Sequence, residues 1–431
     1  MQIADLYQLF LQNPDITTDT RQCRKGSIFF ALHGTSFDGN QFALQALQNG
    51  CAYAVVDDET VQGDERLIHV TDVLQTLQQL AAYHRHCLKT PIVQITGTNG
   101  KTTTKELTSA VLSSRFNVLY TQGNFNNHIG VPKTLLRLTQ EHDIAVIETG
   151  ANHPGEIAFL SEIVDADCGL ITNVGRAHLE GFGSFEGVIK TKGELYDALR
   201  RKKDGFIFLD GDNEYLAPIA QGLKAVTYGK PGKGYDVEGE VVECNPMLKF
   251  RFRFKDGEWQ EVQTHLIGAY NVSNALAAIA VGMHFGVSAE QAAQAIASYE
   301  PSNNRSELMV TDSNRLIVDA YNANPTSMRA ALENFAMIND DHKMVILGEM
   351  RELGIASAAE HKNIAELAKK VCKKHIWLVG DEFRFFAEGA HWYPDVEAVK
   401  VALQGGNRPY GRLILIKGSN GTRLFELPEL L

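Results

Sequence analysis

Residues 93–105, Val-Gln-Ile-Thr-Gly-Thr-Asn-Gly-Lys-Thr-Thr-Thr-Lys, constrain what this chain can fold into more than any other stretch. The apolar, β-branched residues before Gly97 predict a buried strand, and helical spacing begins at Lys101. A strand, a glycine turn and a helix start form a phosphate cradle, because backbone N–H groups and the helix dipole both favour an anion there. Lys101 can reach the β- and γ-phosphates of a nucleotide, and the Thr102 hydroxyl can ligate Mg²⁺. The alternative is an ordinary glycine turn, which has no need of Gly-Lys-Thr at this junction.

One position departs from the common phosphate-loop pattern. The pattern G-x-x-x-x-G-K-[ST] requires glycine at position 95, where this chain has Ile95. We therefore interpret the loop as a shortened variant, which argues against generic ATPases and switch GTPases.

Alternating strand and helix patterns predict an α/β fold in three domains. A length of 431 residues suits about three domains of roughly 150 residues each. We expect a small N-terminal α/β domain over residues 1–85 and a central P-loop ATPase-like domain with a parallel sheet over residues 86–300. Strict alternation over residues 248–254 predicts an antiparallel β insertion in the central domain, with its aromatic residues on one face. Residues 301–431 predict a C-terminal Rossmann-like α/β domain that lacks a glycine fingerprint for a dinucleotide.

Charge, apolar runs and cysteine spacing limit which binding partners and which cellular compartment we expect for this protein. The net charge is 41 − 52 = −11, so we expect no binding to nucleic acid or to an anionic membrane. No apolar run reaches the length of a membrane span, and the start of the chain lacks the pattern of a signal peptide. Six scattered cysteines without a C-x-x-C pair predict reduced thiols rather than a disulfide or zinc framework. We expect a cytoplasmic protein without stable membrane insertion.

Polar residues follow other predicted strands near the phosphate loop. Glu148 ends a strand predicted over residues 143–149, a position suited to Mg²⁺, although a solvated or helix-capping glutamate is the alternative. Asn124, Asn126 and Asn127 lie in an amide-rich loop that either grips a polar ligand or forms an unusual turn. Taken alone, His178 reads as a structural histidine, and residues 190–196 as a solvated helix start.

Together these motifs resemble the Mur ligase family, ATP-dependent amide ligases of peptidoglycan precursor synthesis, over nearly the whole chain. The residues that carry the resemblance are 96–106, 123–132, 147–152, 155–157, 177–179, 181–184, 192–194, 271–278 and 321–328. The sets Asn-x-Asn-Asn-x-Ile-Gly-Val-Pro and Tyr-Asn-Ala-Asn-Pro are similar to ligases that add D-alanyl-D-alanine to a UDP-N-acetylmuramoyl-tripeptide, rather than to ligases that add earlier amino acids.

The resemblance implies that the chain uses ATP and two Mg²⁺ ions to join these two small molecules through an acyl phosphate, and we expect a monomer. The residues implied to hold ATP are Gly97, Thr98, Asn99, Gly100, Lys101, Thr102, Thr103, Asn271, Arg305, Asp319, Tyr321 and Asn322. Thr102 and Glu148 would serve one metal ion, and His178 with Lys192 a second. Lys101, Lys192, His178 and Glu148 would be the catalytic residues.

Lys192 carries the least obvious implication. A lysine ammonium offers donors and no acceptor, so it is not itself a metal ligand. The resemblance implies that the amine adds CO₂ to form a carbamate, whose oxygens reach Mg²⁺. The alternative is an unmodified lysine that contacts phosphate directly.

Substrate contacts are implied in all three domains. Arg21, His33, Gly34 and Asp38 lie in first-domain loops that would face the uridine end, although turn chemistry alone explains these loops. Asn124, Asn126 and Asn127 would also bind substrate, and the last domain would present D-alanyl-D-alanine. Two positions depart from the family: Ala320 stands where a second acid is frequent, and Asn420 where an arginine is frequent.

Two other functions fit parts of the sequence. One is a ligase of the same fold that adds a single amino acid or glutamate to a different acceptor. The other is a nucleotide-driven switch, which has no need of the segment around Lys192, of His178 or of the asparagine loop. The sequence does not say whether the third residue of the tripeptide is diaminopimelate or lysine.

Overall fold

The structure is a computed structural model that describes residues 1–301 and 306–431, so the predicted nucleotide contact Arg305 lies outside the described residues. Three α/β units follow one another along the chain, and the predicted fold class is confirmed. We refer to them as the first, middle and last units, and the boundaries predicted at residues 85 and 300 stay a prediction.

The first unit is a small parallel sheet of order β1-β2-β5-β6 with helices around it. Its elements are α1 (Ile3–Gln12), β1 (Ile16–Thr17), β2 (Ile28–Phe30), β3 (His33–Gly34), β4 (Phe37–Asp38), α2 (Ala43–Gln48), β5 (Tyr53–Val56), β6 (Leu67–His69) and α3 (Val73–Cys87). β3 and β4 form a short separate hairpin that holds the predicted contacts His33, Gly34 and Asp38.

Helix α3 joins the first unit to the middle unit through a shared hydrophobic core. Leu77 and Leu80 of α3 belong to one cluster with Phe10 of the first unit and with Val131 and Ile147 of the middle unit. No break in the core therefore marks the predicted boundary at residue 85.

Arg85, in the last turn of α3, ties the same two units together by hydrogen bonds. The residue is 5% exposed. Its guanidinium donates to the backbone carbonyls of Leu88, Thr90, Val164 and Asp165 and to the carboxylate of Asp167. All of these acceptors lie beyond the end of α3, so one buried side chain at the end of this helix fixes how α3 meets the middle unit.

We expect Arg85→Ala to lower the free energy of unfolding by about 3 kcal/mol, because buried carbonyls lose their donor. Urea denaturation followed by circular dichroism measures this change. The matched control is Arg66→Ala, which removes a partly exposed pair with Asp64 inside the first unit and should lower the free energy of unfolding by less than about 1 kcal/mol. Equal effects of the two variants would contradict the structural role of Arg85.

The middle unit is built on one sheet of order β15-β14-β13-β12-β11-β10-β7-β9-β8. Its elements are β7 (Ile92–Thr96), α4 (Lys101–Ser113), β8 (Val118–Tyr120), α5 (Gly130–Leu135), β9 (Ile144–Glu148), α6 (Glu156–Val164), β10 (Cys168–Ile171), α7 (Leu179–Phe182), α8 (Phe185–Arg200), β11 (Phe206–Asp210), α9 (Leu216–Ile219), β12 (Lys224–Gly229), β13 (Val237–Cys244), β14 (Met247–Phe254), β15 (Gln260–Ile267), α10 (Asn271–His284) and α11 (Ala289–Ala297).

The predicted antiparallel insertion is confirmed as β13 to β15, and it extends the parallel sheet instead of forming a separate one. Phe250 and Phe252 are buried, whereas Arg251 between them is exposed. The strands β11, β10, β7 and β9 run parallel side by side, so their carboxyl ends meet at one edge. Ligands of open α/β sheets bind at such an edge.

The last unit has a sheet of order β16-β17-β21-β18-β19-β20, in which β16 is antiparallel and the other neighbours are parallel. Its elements are β16 (Glu307–Val310), β17 (Arg315–Asp319), α12 (Pro325–Met337), β18 (Lys343–Gly348), α13 (Ser357–Cys372), β19 (Ile376–Val379), β20 (His391–Tyr393), α14 (Val396–Gln404) and β21 (Leu413–Lys417). Hydrophobic clusters cover both faces of this sheet, as expected for a doubly wound unit.

The six cysteines are free thiols, and five of them are wholly or partly buried in the hydrophobic clusters, namely Cys23, Cys51, Cys168, Cys244 and Cys372. Across residues 1–301 and 306–431, no helix is both long and apolar enough to cross a bilayer.

Candidate active site

Two glycines give the phosphate loop its shape. Gly97 has φ +143°, and a Cβ built there would lie 2.0 Å from the Thr172 hydroxyl oxygen. Gly100 has φ +78°, and its Cβ would lie 2.5 Å from Oδ1 of Asn274. Since real Cβ atoms do not approach that closely, the loop requires glycine at both positions. Helix α4 then begins at Lys101, as the sequence predicted.

The loop is anchored to the end of β10, its neighbouring strand. The Thr98 N–H donates to the Asn173 carbonyl at 2.9 Å, and the Asn99 N–H donates to Asn173 Oδ1 at 3.0 Å. The Thr98 hydroxyl in turn accepts from the Gly175 N–H at 3.0 Å. Sequence reasoning gave Asn173 no role, because nothing in the sequence says that β10 lies beside β7.

Lys101 extends along the loop. Its Nζ donates to the carbonyl oxygens of Gly97 at 3.0 Å and Thr98 at 3.1 Å. The ammonium group therefore lies over the cradle that backbone N–H groups and the α4 dipole make suitable for an anion.

Glu148 ends β9 beside the first turn of α4, as predicted. Its Oε1 accepts from the Thr102 hydroxyl at 3.3 Å and from Asn126 Nδ2 at 2.7 Å. Its Oε2 is buried and has no hydrogen-bond partner among the described atoms. A buried carboxylate oxygen without a donor is costly, and a bound cation would satisfy it. The pair of Glu148 and Thr102 therefore fits Mg²⁺.

Mg²⁺ in nucleotide sites is held by one or two carboxylates together with phosphate oxygens and water. Within the described ranges, no group of three or more His, Cys, Asp or Glu side chains is placed to hold a metal ion. A cation at Glu148 would accordingly take its remaining ligands from hydroxyl, phosphate and water oxygens.

The three asparagines of the amide-rich loop have different roles: one contacts Glu148, one stabilises the loop backbone and one lines the cavity. Asn126 contacts Glu148 as described above, and its carbonyl accepts from the Gly150 N–H. Asn127 Oδ1 accepts from the backbone N–H groups of Ile129 and Gly130, so this oxygen caps the start of α5. Asn124 lines the cavity described below.

Lys192 lies inside α8, so the interpretation of residues 190–196 as a solvated helix start is wrong: the helix begins five residues before Lys190, at Phe185. The Lys192 side chain is buried, with Nζ 3.4 Å from the Ala151 carbonyl and 5.3 Å from the centre of the Phe182 ring. Burial, and then the charge of Lys101, lower the pKa of Lys192 to about 7. Much of this lysine is therefore a neutral amine at neutral pH.

Glu194, two residues after Lys192 in α8, has a structural role. Its carboxylate accepts from the backbone N–H groups of Gly155 and Ala158 at 2.8 and 2.9 Å. It thus completes the first turn of α6, close to the Ala151 carbonyl that faces Lys192.

His178 lies at the start of α7 with φ +49°, and its Nδ1 contacts the carboxylate of Glu352 in the last unit. Burial lowers the pKa of His178, Glu352 opposes that effect, and Lys101 and Lys192 lower the pKa further. The imidazole consequently favours its neutral form, which is the form that ligates metal.

A cavity of about 850 Å³ lies between the middle and last units and collects most of the predicted residues. Asp319 and Lys417 form a 2.5 Å ion pair at its last-unit wall, and Lys417 is buried. On the opposite wall, Asn271 accepts from Asn274 Nδ2 at 2.8 Å. The predicted residues that line the cavity are Thr98, Asn99, Gly100, Lys101, Thr102, Thr103, Asn124, Asn126, Asn127, Glu148, His178, Asn271, Asp319, Tyr321 and Asn322.

Several predicted residues lie outside this cavity. Gly97 and Lys192 do not line it, and Arg21, His33, Gly34 and Asp38 belong to the first unit. Arg21 pairs with Asp19 in an exposed loop, and His33 lies 3.4 Å from Asp57. Sequence reasoning gave no role to four further residues, Asn173, Asn274, Asn324 and Lys417. Two of them, Asn274 and Asn324, stood in motifs that it did single out.

Family models match the chain in three consecutive segments. They are the Mur ligase family, catalytic domain, over residues 15–85, the Mur ligase middle domain over residues 95–282, and the Mur ligase, glutamate ligase domain, over residues 304–420. A UDP-N-acetylmuramoyl-tripeptide--D-alanyl-D-alanine ligase of Bacillus subtilis (strain 168) is 36% identical over 99% of this chain and 96% of that protein. The chain belongs to the Mur ligase family.

Other members of the Mur ligase family are similar over nearly the same length. The protein of the same name from Escherichia coli (strain K12) is 36% identical over 88% of this chain and 85% of its own. A crystal structure of MurF from Acinetobacter baumannii is 32% identical with a TM-score of 0.86, covering 97% of this chain and 96% of that one. A MurF ligase from Thermotoga maritima in complex with ADP is 25% identical with a TM-score of 0.85, covering 97% of both chains.

Proposed function

We propose that this Mur ligase uses ATP to join D-alanyl-D-alanine to a UDP-N-acetylmuramoyl-tripeptide through an acyl phosphate. One observation carries the proposal: the cavity brings the phosphate loop, Glu148 and the polar wall of the last unit together in one space. The choice of the two substrates is supported by the Bacillus subtilis and Escherichia coli relatives, which are both UDP-N-acetylmuramoyl-tripeptide--D-alanyl-D-alanine ligases.

ATP would place its phosphates on the loop and its nucleoside toward Asn271 and Asp319. The loop offers backbone N–H groups and the α4 dipole, and Lys101 supplies a cation that follows the migrating phosphoryl charge. Glu148 and Thr102 would hold Mg²⁺, which neutralises charge on the phosphate oxygens when bound. The ADP complex of the Thermotoga maritima relative supports the nucleotide assignment.

The reaction follows from how an amide is made in water. The tripeptide carboxylate attacks the γ-phosphorus, and the bond to ADP breaks, which gives an acyl phosphate. The amine of D-alanyl-D-alanine then attacks the acyl carbon, loses a proton and displaces phosphate. The chain contributes position and electrostatics to both steps and keeps water out of the cavity.

Lys192 would serve this site as a carbamate, together with His178. The lowered pKa leaves a neutral amine that can add CO₂ and release a proton, giving an anion with two oxygens on a long stem. This anion and the neutral His178 imidazole suit a second Mg²⁺. An unmodified Lys192 that donates to phosphate remains the alternative.

We also assign contacts with the UDP-N-acetylmuramoyl-tripeptide to residues outside the phosphate loop. Arg21, His33, Gly34 and Asp38 would bind the uridine end, and Asn124 and Asn126 the part nearer the reacting carboxylate. The Asn127 oxygen already caps α5, so Asn127 would contribute its amide nitrogen. We also propose that the enzyme acts as a monomer in the cytoplasm, does not bind nucleic acid and does not insert stably into a membrane.

Purified protein with ATP and Mg²⁺ should form the UDP-N-acetylmuramoyl-pentapeptide and release ADP and phosphate only when both tripeptide and D-alanyl-D-alanine are present. Mass spectrometry of the product and a coupled phosphate assay measure this. Parallel reactions with the diaminopimelate and lysine forms of the tripeptide would identify its third residue. Equal turnover with free D-alanine or L-amino acids would refute the assignment of the dipeptide.

A further inference from the structure

Asn324, just before α12, caps the helix with one half of its side chain. Its Oδ1 accepts from the Ser327 N–H at 2.9 Å, and the Ser327 hydroxyl accepts from the Asn324 N–H at 3.1 Å, which completes a capping box. The residue is 4% exposed. Capping accounts for the amide oxygen and leaves the amide nitrogen for another partner.

The amide nitrogen crosses to the middle unit. Asn324 Nδ2 donates to Oδ1 of Asn99 at 2.7 Å, between residues that are 225 positions apart. Asn99 is part of the phosphate loop, and its backbone is fixed by Asn173 and by the Thr172 hydroxyl. The contact therefore joins the end of α12 directly to the loop expected to hold the phosphates.

Neighbouring contacts dock the same helix turn onto the middle unit. The Thr326 hydroxyl accepts from the Arg176 N–H at 3.1 Å, and Arg176 pairs with Glu360 at 3.4 Å. The Arg176 guanidinium is largely exposed, so salt screens that pair, whereas the Asn324 amide is buried. The bond between Asn324 and Asn99 is thus the contact in this turn that depends on the conformation of the phosphate loop.

We propose that Asn324 is a positioning residue that couples closure of the last unit to the phosphate loop, so that the cavity is sealed when the loop is correctly formed. The inference rests on the proposed ligase function. Its consequence concerns the fate of the acyl phosphate. If water attacks the acyl carbon instead of the amine, the bond to phosphate breaks, and carboxylate and phosphate form without amide.

The test is the ratio of phosphate released to amide formed in Asn324→Ser. Serine is a good helix cap, so α12 keeps its start, but the shorter hydroxyl does not reach Asn99. Loss of one buried hydrogen bond should raise the ratio from about 1 to roughly 3–10, while the variant still unfolds cooperatively on heating. A ratio that stays near 1 in the folded variant would overturn the proposal.

Asn334→Ser is the matched control. Asn334 is on the same helix, is 5% exposed and also reaches the middle unit, where its Oδ1 accepts from the Ala269 N–H at 3.2 Å, away from the phosphate loop. Its ratio should stay near 1. An equal rise in both variants would show that any contact between the units suffices, which contradicts a specific role for Asn324.

A double-mutant cycle with Asn99→Ala tests whether the two asparagines act through each other. If they do, the ratio of phosphate released to amide formed in the double variant should be no higher than the larger of the two single-variant ratios. Ratios that multiply would mean independent roles and refute the coupling. Failure of the wild-type protein to form amide would instead refute the ligase function, so the two failures are distinguishable.

Discussion

Lys101→Ala should lower turnover by about 10²-fold or more, which corresponds to roughly 3 kcal/mol of transition-state stabilisation. The variant removes the cation that lies over the loop carbonyls, while the backbone N–H groups of the cradle remain. Because the loss concerns charge that develops during phosphoryl transfer, we expect kcat to fall more than the affinity for ATP. Steady-state kinetics at saturating ATP measure the effect.

Lys89→Ala is the control for Lys101. Lys89 is exposed just before β7, so its removal changes the net charge equally without touching the loop. Near-normal turnover of Lys101→Ala at saturating ATP, with both variants folded, would show that phosphoryl transfer does not occur at this loop.

Lys192→Ala should be nearly inactive, and short-chain carboxylates such as acetate should partly restore it. The carbamate proposed on Lys192 is a carboxylate-like anion, and acetate can occupy the space that the alanine variant leaves. Carbamate formation needs the neutral amine, whose fraction falls as pH drops below the pKa of about 7. The wild-type enzyme should therefore lose activity below that pH, and bicarbonate should counter the loss.

Lys190→Ala provides the comparison for Lys192, since it lies on the same helix but is exposed. It should keep full activity and show no response to acetate. A crystal structure with nucleotide and metal that shows a bare ammonium at Lys192 would refute the carbamate and favour direct contact with phosphate.

Local sequence patterns predicted the part of the site that depends on neighbouring residues along the chain. The strand, glycine turn and helix start at Gly97, Gly100 and Lys101 need nothing from elsewhere to be recognised. The position of Glu148 was also predictable, because an acid at the end of a strand near a phosphate loop is well placed to reach the start of the helix that follows that loop.

The remaining site residues depend on which strands and units become neighbours. Asn173 supports the loop because β10 pairs with β7, and Asn274 faces Gly100 because α10 packs on α4. Asn324 reaches Asn99 across 225 residues. The burial of Lys192, and hence its pKa, follows from the packing of α8 and not from the sequence around it.

The hydrophobic core that α3 shares with the middle unit affects how the two steps of the proposed reaction are timed. Because apolar packing and Arg85 bind the first two units to each other, the uridine contacts proposed in the first unit would lie at a distance from the phosphate loop that is set when the chain folds. The last unit contacts the middle one through polar groups and through Ile267 of β15, which packs in the hydrophobic cluster of the last unit. In the proposed reaction the last unit would bring both Asp319 for the nucleotide and the incoming nucleophile to this fixed platform, so its movement would set the timing of both chemical steps.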